Sequence, residues 1–94
     1  MKLHEYPNDN GRLFVFFCPG CGYDHPFHVG ASNRPTWEWN GSFDAPTFAP
    51  SLVVFKDDPG KRCHLFLTNG QLQFLADSHH QLAGRTVPCP EYPD

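Results

Sequence analysis

Cys63-His64-Leu65-Phe66-Leu67-Thr68-Asn69-Gly70-Gln71-Leu72-Gln73-Phe74-Leu75-Ala76-Asp77 is the stretch that decides the fold of this 94-residue chain. Two runs that alternate apolar and polar residues flank Asn69-Gly70, the dipeptide best suited to the two positive-φ positions of a type I′ turn. A two-residue hairpin built there pairs Thr68 with Gln71, Leu67 with Leu72 and Leu65 with Phe74. Side chains alternate across a strand. One face therefore carries Cys63, Leu65, Leu67, Leu72, Phe74 and Ala76, and the other His64, Phe66, Gln73, Leu75 and Asp77. The first is a core face; the second is mixed, with a histidine at its base.

Upstream, the apolar run Leu13 to Phe17 predicts a strand buried on both faces, returning through a second short strand at Pro26 to Val29. Thr36-Trp37-Glu38-Trp39 alternates aromatic and polar before Asn40-Gly41, a second type I′ signal. Pro46 and Pro50 keep Phe43 to Ser51 out of a helix or a central strand, which predicts an extended edge segment laying Phe43 and Phe48 on the core. Leu52 to Phe55 predicts a further strand, closed by a polar loop from Lys56 to Arg62. Beyond the hairpin, Asp77 to Gly84 allows one helical turn and Arg85 to Val87 a last short strand. The tail from Pro88 is expected to fray. The chain thus predicts one all-β domain over residues 1–94, ordered from about 12 to 88. Its expected form is a small twisted sandwich or partly open barrel with at most one short helical turn.

Ten prolines and eight glycines punctuate the chain without marking a linker, and nine Phe, two Trp and three Tyr give an aromatic core. The formal charge of −3, with both signs interspersed, leaves no footprint for nucleic acid. No apolar run reaches the roughly 20 residues that cross a bilayer. The N-terminus has no apolar signal segment, so the expected setting is cytoplasmic. Four cysteines then read as thiols or metal ligands rather than disulfides.

Cys18-Pro19-Gly20-Cys21-Gly22 is the strongest chemical motif. Two cysteines around Pro-Gly form a tight knuckle whose sulfurs point the same way, half of a tetrahedral zinc site. A redox Cys-x-x-Cys opens a helix, and Gly22-Tyr23-Asp24-His25-Pro26 is no helix start. Because Cys63 and His64 are neighbours on a strand, only one of them can reach the metal. The face pattern favours His64, leaving Cys63 as a small core residue. His80, in the turn that folds back toward the base of the hairpin, completes the expected ligand set of Cys18, Cys21, His64 and His80, with Asp77 orienting His80. His25 is the rival to His80, and Cys63 the rival to His64. His79 is expected to be solvated and Cys89 incidental. No nucleophile–base arrangement stands out, since Ser51, Ser78 and Thr86 lack a Gly-x-Ser-x-Gly setting, and no catalytic residue is assigned.

The chain also resembles the small zinc-knuckle proteins of tailed bacteriophages and prophages, a domain of unknown function often labelled "ammonia monooxygenase". The matching residues are Cys18-Pro19-Gly20-Cys21 with His25, Pro35 to Ser42, Pro46 to Leu52, Arg62-Cys63-His64-Leu65-Phe66, Asn69-Gly70, Phe74 to Asp77 and His80 to Val87. They cover roughly residues 14 to 87. The resemblance implies a mostly β phage-type protein with bound zinc and says little about activity. A membrane copper monooxygenase does not fit a chain of this size with no membrane span. The function expected from these readings is a zinc-stabilised phage accessory module that binds a host or phage protein without catalysis. A small metal-dependent hydrolase or oxygenase is the alternative.

Overall fold

The computed structural model describes residues 1–93 and contains eight strands. They are β1 (His4–Tyr6), β2 (Arg12–Cys18), β3 (Tyr23–Val29), β4 (Glu38–Trp39), β5 (Phe48–Val54), β6 (Cys63–Thr68), β7 (Gln71–Phe74) and β8 (Thr86–Pro88). Two antiparallel sheets result, ordered β1-β2-β3 and β4-β5-β6-β7-β8, and neither closes into a barrel. Among the described residues there is no helix. The stretch after the hairpin is a series of turns, with Ser78 N–H donating to Leu75 C=O and Ala83 N–H to His80 C=O.

The core lies between the two sheets. Phe14, Phe16 and Phe27 face in from one side; Phe48, Leu52, Leu65, Leu67, Leu72 and Phe74 face in from the other, and all are buried. The Phe27 and Phe48 rings stack with centroids 4.0 Å apart, joining β3 to β5 across the layers. Trp39 packs on Phe14 at 4.4 Å. Large flat rings fill the space that a short chain has few residues to fill.

The hairpin has the register its sequence predicts: Leu65 opposite Phe74, Leu67 opposite Leu72 and Thr68 opposite Gln71. Asn69 (φ 50°) and Gly70 (φ 75°) take the two left-handed positions. A Cβ on Gly70 would also meet Ala45 Cα at 3.3 Å. Gly70→Ala should therefore destabilise the protein by about 1–2 kcal/mol. The measurement is a urea titration in which the midpoint falls while the slope is unchanged.

Three local expectations are revised. Asn40-Gly41 is not a two-residue hairpin turn, because Asn40 has no positive φ. Instead the Asn40 side chain organises a longer loop, its Oδ1 accepting from Ser42 and Thr47 N–H and its Nδ2 donating to Ala45 C=O. Pro50 lies inside β5, where a register shift between Phe48 and Leu52 removes the ladder bond it could not donate. The tail is docked: Cys89 is fully buried and its N–H donates to Gly70 C=O, while Tyr92 N–H donates to Met1 C=O. Leu3 is also in the core, so the packed structure extends past both ends of the 12–88 range.

Candidate active site and metal cluster

Cys63 and His64 open β6 on opposite faces, and each face holds a separate constellation. On the inner face, Cys18 from the end of β2, Cys21 from the knuckle, His25 from β3 and Cys63 from β6 converge. One donor atom from each lies within 4.8 Å of every other, close enough to hold a metal ion. The Cys18 and Cys63 sulfurs are 4.0 Å apart. Two Zn–S bonds of ~2.3 Å at a tetrahedral angle would put them ~3.8 Å apart. His25 is buried, and its Nε2 has no hydrogen-bond partner among the described residues. An orphaned imidazole nitrogen beside three sulfurs fits a metal ligand.

The thiols are also mutually frustrated. A hydrogen bond from Cys63 is the main cause that lowers Cys18 to about 4. Desolvation raises Cys21 to about 11, and the same bond to Cys18 drives Cys63 far above its ordinary range. One negative charge fits this site; three require a cation.

His80 is beside the cluster but outside the four. Its Nδ1 accepts from Leu82 N–H, which leaves the proton on Nε2, 3.3 Å from Cys63 Sγ. It is thus placed to donate to the sulfur rather than to bind the ion, the usual work of groups behind a thiolate ligand. Any Cβ at Gly20 would strike the His80 ring, so the glycine of the knuckle lets this histidine lie over it. His79, expected to be solvated, has Nε2 3.3 Å from Cys21 Sγ.

His64 is on the other face, away from the knuckle. Its Nε2 is 3.2 Å from Ser51 Oγ, and its Nδ1 is 3.2 and 3.3 Å from the two oxygens of Asp77. The strands account for this meeting. His64 stands opposite Val53 in the β5–β6 ladder, and Ser51, at the end of the irregular stretch between Phe48 and Leu52, brings its Oγ to the His64 ring. Asp77 follows β7 and is fixed through its neighbour. Ser78 Oγ accepts from His64 N–H and donates to His64 C=O, while Leu75 N–H donates to that same carbonyl. Asp77, expected to orient His80, therefore orients His64.

A serine, an imidazole and a carboxylate linked in that order form the acid–base relay of nucleophilic hydrolases. Contacts of 3.2–3.3 Å are in the range such relays show without substrate. The sequence readings missed this site. Its signal was the presence of His64 and Asp77 on one face of the hairpin, plus one further strand carrying a serine.

A family model described as BubE, bacterial ubiquitination-like system serine protease, matches residues 2–75. The match includes Ser51 and His64 and ends two residues short of Asp77. Its description names a bacterial system and mentions neither phage nor zinc. No curated protein and no solved structure matches the chain.

Proposed function

The chain belongs to the BubE family, and from that premise we propose that it is a serine protease in which Ser51 is the nucleophile, His64 the general base and Asp77 the orienting carboxylate. The observation that supports this is the continuous Ser51–His64–Asp77 hydrogen-bond chain on the outer face of the larger sheet. Ser51 Oγ attacks the scissile carbonyl carbon as its proton passes to His64 Nε2. Asp77 holds the Nδ1 proton and stabilises the imidazolium. His64 then protonates the leaving amine, the C–N bond breaks, and an acyl ester remains on Ser51. Water, deprotonated by the same imidazole, releases the acid and restores the hydroxyl. From the family's description we take the substrate to be a protein of a bacterial ubiquitination-like system.

We assign zinc to the Cys18/Cys21/His25/Cys63 set, on the preference of a three-sulfur, one-nitrogen tetrahedron for that ion. Four protein donors leave no position for substrate, so the metal's role is structural: it ties the knuckle and β3 to the strand that carries His64. A non-enzymatic binding module has no use for the serine relay, and the catalytic reading is preferred to it for that reason.

The direct test is covalent. A fluorophosphonate probe should modify one residue, Ser51, as read by peptide mass spectrometry. Ser51→Ala and His64→Ala should both abolish the adduct. Modification elsewhere, or none in protein that retains its metal and fold, would remove the proposal.

A further inference from the structure

The nucleophile sits beside an open stretch of sheet edge. β4 covers β5 only at Phe48 and Ala49, so Leu52 to Val54 have a ladder partner on the β6 side alone. The direction of the free groups follows from His64. Its N–H and C=O are both used on the side away from β5, by Ser78 and Leu75. The facing residues of an antiparallel pair either both exchange bonds or both point outward. Val53, opposite His64, therefore turns its N–H and C=O to the open edge. Ser51, two residues earlier, does likewise: its C=O accepts from Trp37 Nε1 at that edge.

What lies alongside is a groove of about 310 Å³. Its floor is Leu52, Val53 and Val54, and Trp37, Pro26 and His28 wall it. The opposing edge, β3, has little to offer a ladder. Pro26 has no N–H, and His28 C=O is already taken by Trp37 N–H and Thr36 Oγ1. Only the β5 side can accept a strand.

Arg34 closes the lining and gives the groove a charge. Its Nη1 is 3.3 Å from His28 Nε2. Burial, and then the Arg34 charge, hold His28 below its ordinary pKa, so the imidazole is neutral and accepts from the guanidinium. The ion pairs among the described residues involve the N-terminus, Lys2 and Arg12, and none involves Arg34. Its remaining N–H groups are free for a carboxylate.

We propose that an extended segment of the protein substrate adds to the β5 edge as an antiparallel strand, exchanging both backbone bonds with Val53, and that Arg34 selects a segment carrying a carboxylate. Strand addition supplies affinity through the backbone and specificity through side-chain pockets. Here the apolar groove takes side chains that point inward, and the guanidinium fixes the register of the scissile bond over Ser51. An uncapped strand edge, even one as short as Leu52 to Val54, leaves backbone groups that a further strand can pair with. An edge kept open next to a nucleophile is accounted for by this use. The identity of the occupant as substrate rests on the protease reading; the groove itself does not.

The test uses both the active protein and Ser51→Ala. Fluorogenic hexapeptides of one apolar sequence carry Glu, Gln or Lys at each position in turn, with matching peptides singly N-methylated along the backbone. With Ser51→Ala, binding of the Glu peptides should shift the Val53 amide resonance and protect it from exchange, and one N-methyl group should abolish this. With active protein, Glu at one position should exceed Lys by about tenfold or more in kcat/KM, the worth of one charge-assisted hydrogen bond. Arg34→Ala should erase that preference, and Arg34→Lys should keep part of it. Cleavage without a Val53 response, or with a preference indifferent to Arg34, overturns the groove assignment and leaves the protease reading intact. So does failure of every peptide to bind while Ser51 is labelled. Val53-centred binding without Ser51 labelling upholds the groove and removes the protease.

Discussion

Ser51→Ala and His64→Ala should each lower kcat by about 10⁴-fold or more, and the double variant should be no worse than either. Non-additivity is the signature of a relay, since either loss removes the same proton-coupled attack. Asp77→Asn should fall by about 10³- to 10⁴-fold, because the amide favours the wrong imidazole tautomer without emptying the position. Steady-state hydrolysis of a peptide that labels Ser51 supplies the rates. Metal content measured on the same samples decides between the two roles considered for His64. If the imidazole serves the outer face, His64→Ala keeps the full metal complement of the parent. Loss of the ion in that variant would return His64 to the metal and take the catalytic assignment with it.

Removing the metal should have the other large effect. Structural zinc contributes on the order of 10–16 kcal/mol of apparent binding free energy, whereas a whole domain is stable by about 5–15 kcal/mol. The ion's share is thus comparable to the entire margin. Cys63→Ser, His25→Ala or a strong chelator should leave a chain without a cooperative thermal transition, seen as loss of the near-ultraviolet signal from the packed Trp37 and Trp39. Cys89→Ser should keep one metal per chain, because Cys89 is buried in the hydrophobic core and is not among the four clustered donors. A chelated protein that melts like the parent would show that the four donors have a use other than holding a structural ion.

The turn and register of the hairpin were legible in the sequence because what defines them is local, a positive-φ turn pair between two short alternating runs, but β7 ends at Phe74 and leaves Ala76 exposed rather than on the core face. The Cys18–Cys21 knuckle was legible for the same reason. Strand parity also put Cys63 and His64 on opposite faces, as β6 has them. What parity does not contain is which of the two faces meets the Cys18–Cys21 knuckle. That depends on where the β2–β3 sheet docks, and the docking is set by distant aromatic contacts such as Phe27 on Phe48. Pro26 reads as the start of a strand and leaves His25 in a loop, whereas β3 begins at Tyr23 and turns His25 inward. Ser51 was hidden by its context. A proline precedes it, a polar loop separates β5 from β6, and no glycine-framed elbow marks it. Asp77 was paired with its near neighbour His80, although its partner lies across the hairpin.

The bond between Cys63 and His64 also carries a lesson about how such a chain can change. Adding or removing a single residue near the start of β6 would turn each side chain to the opposite face, taking Cys63 from the sulfur cluster and His64 from Ser51 and Asp77. Metal anchorage and proton transfer would fail together, in one genetic event, although neither constellation had been touched chemically. Changes in the length of this domain should therefore be tolerated in the Lys56–Arg62 loop and the turns, where added residues are absorbed before the alternation begins.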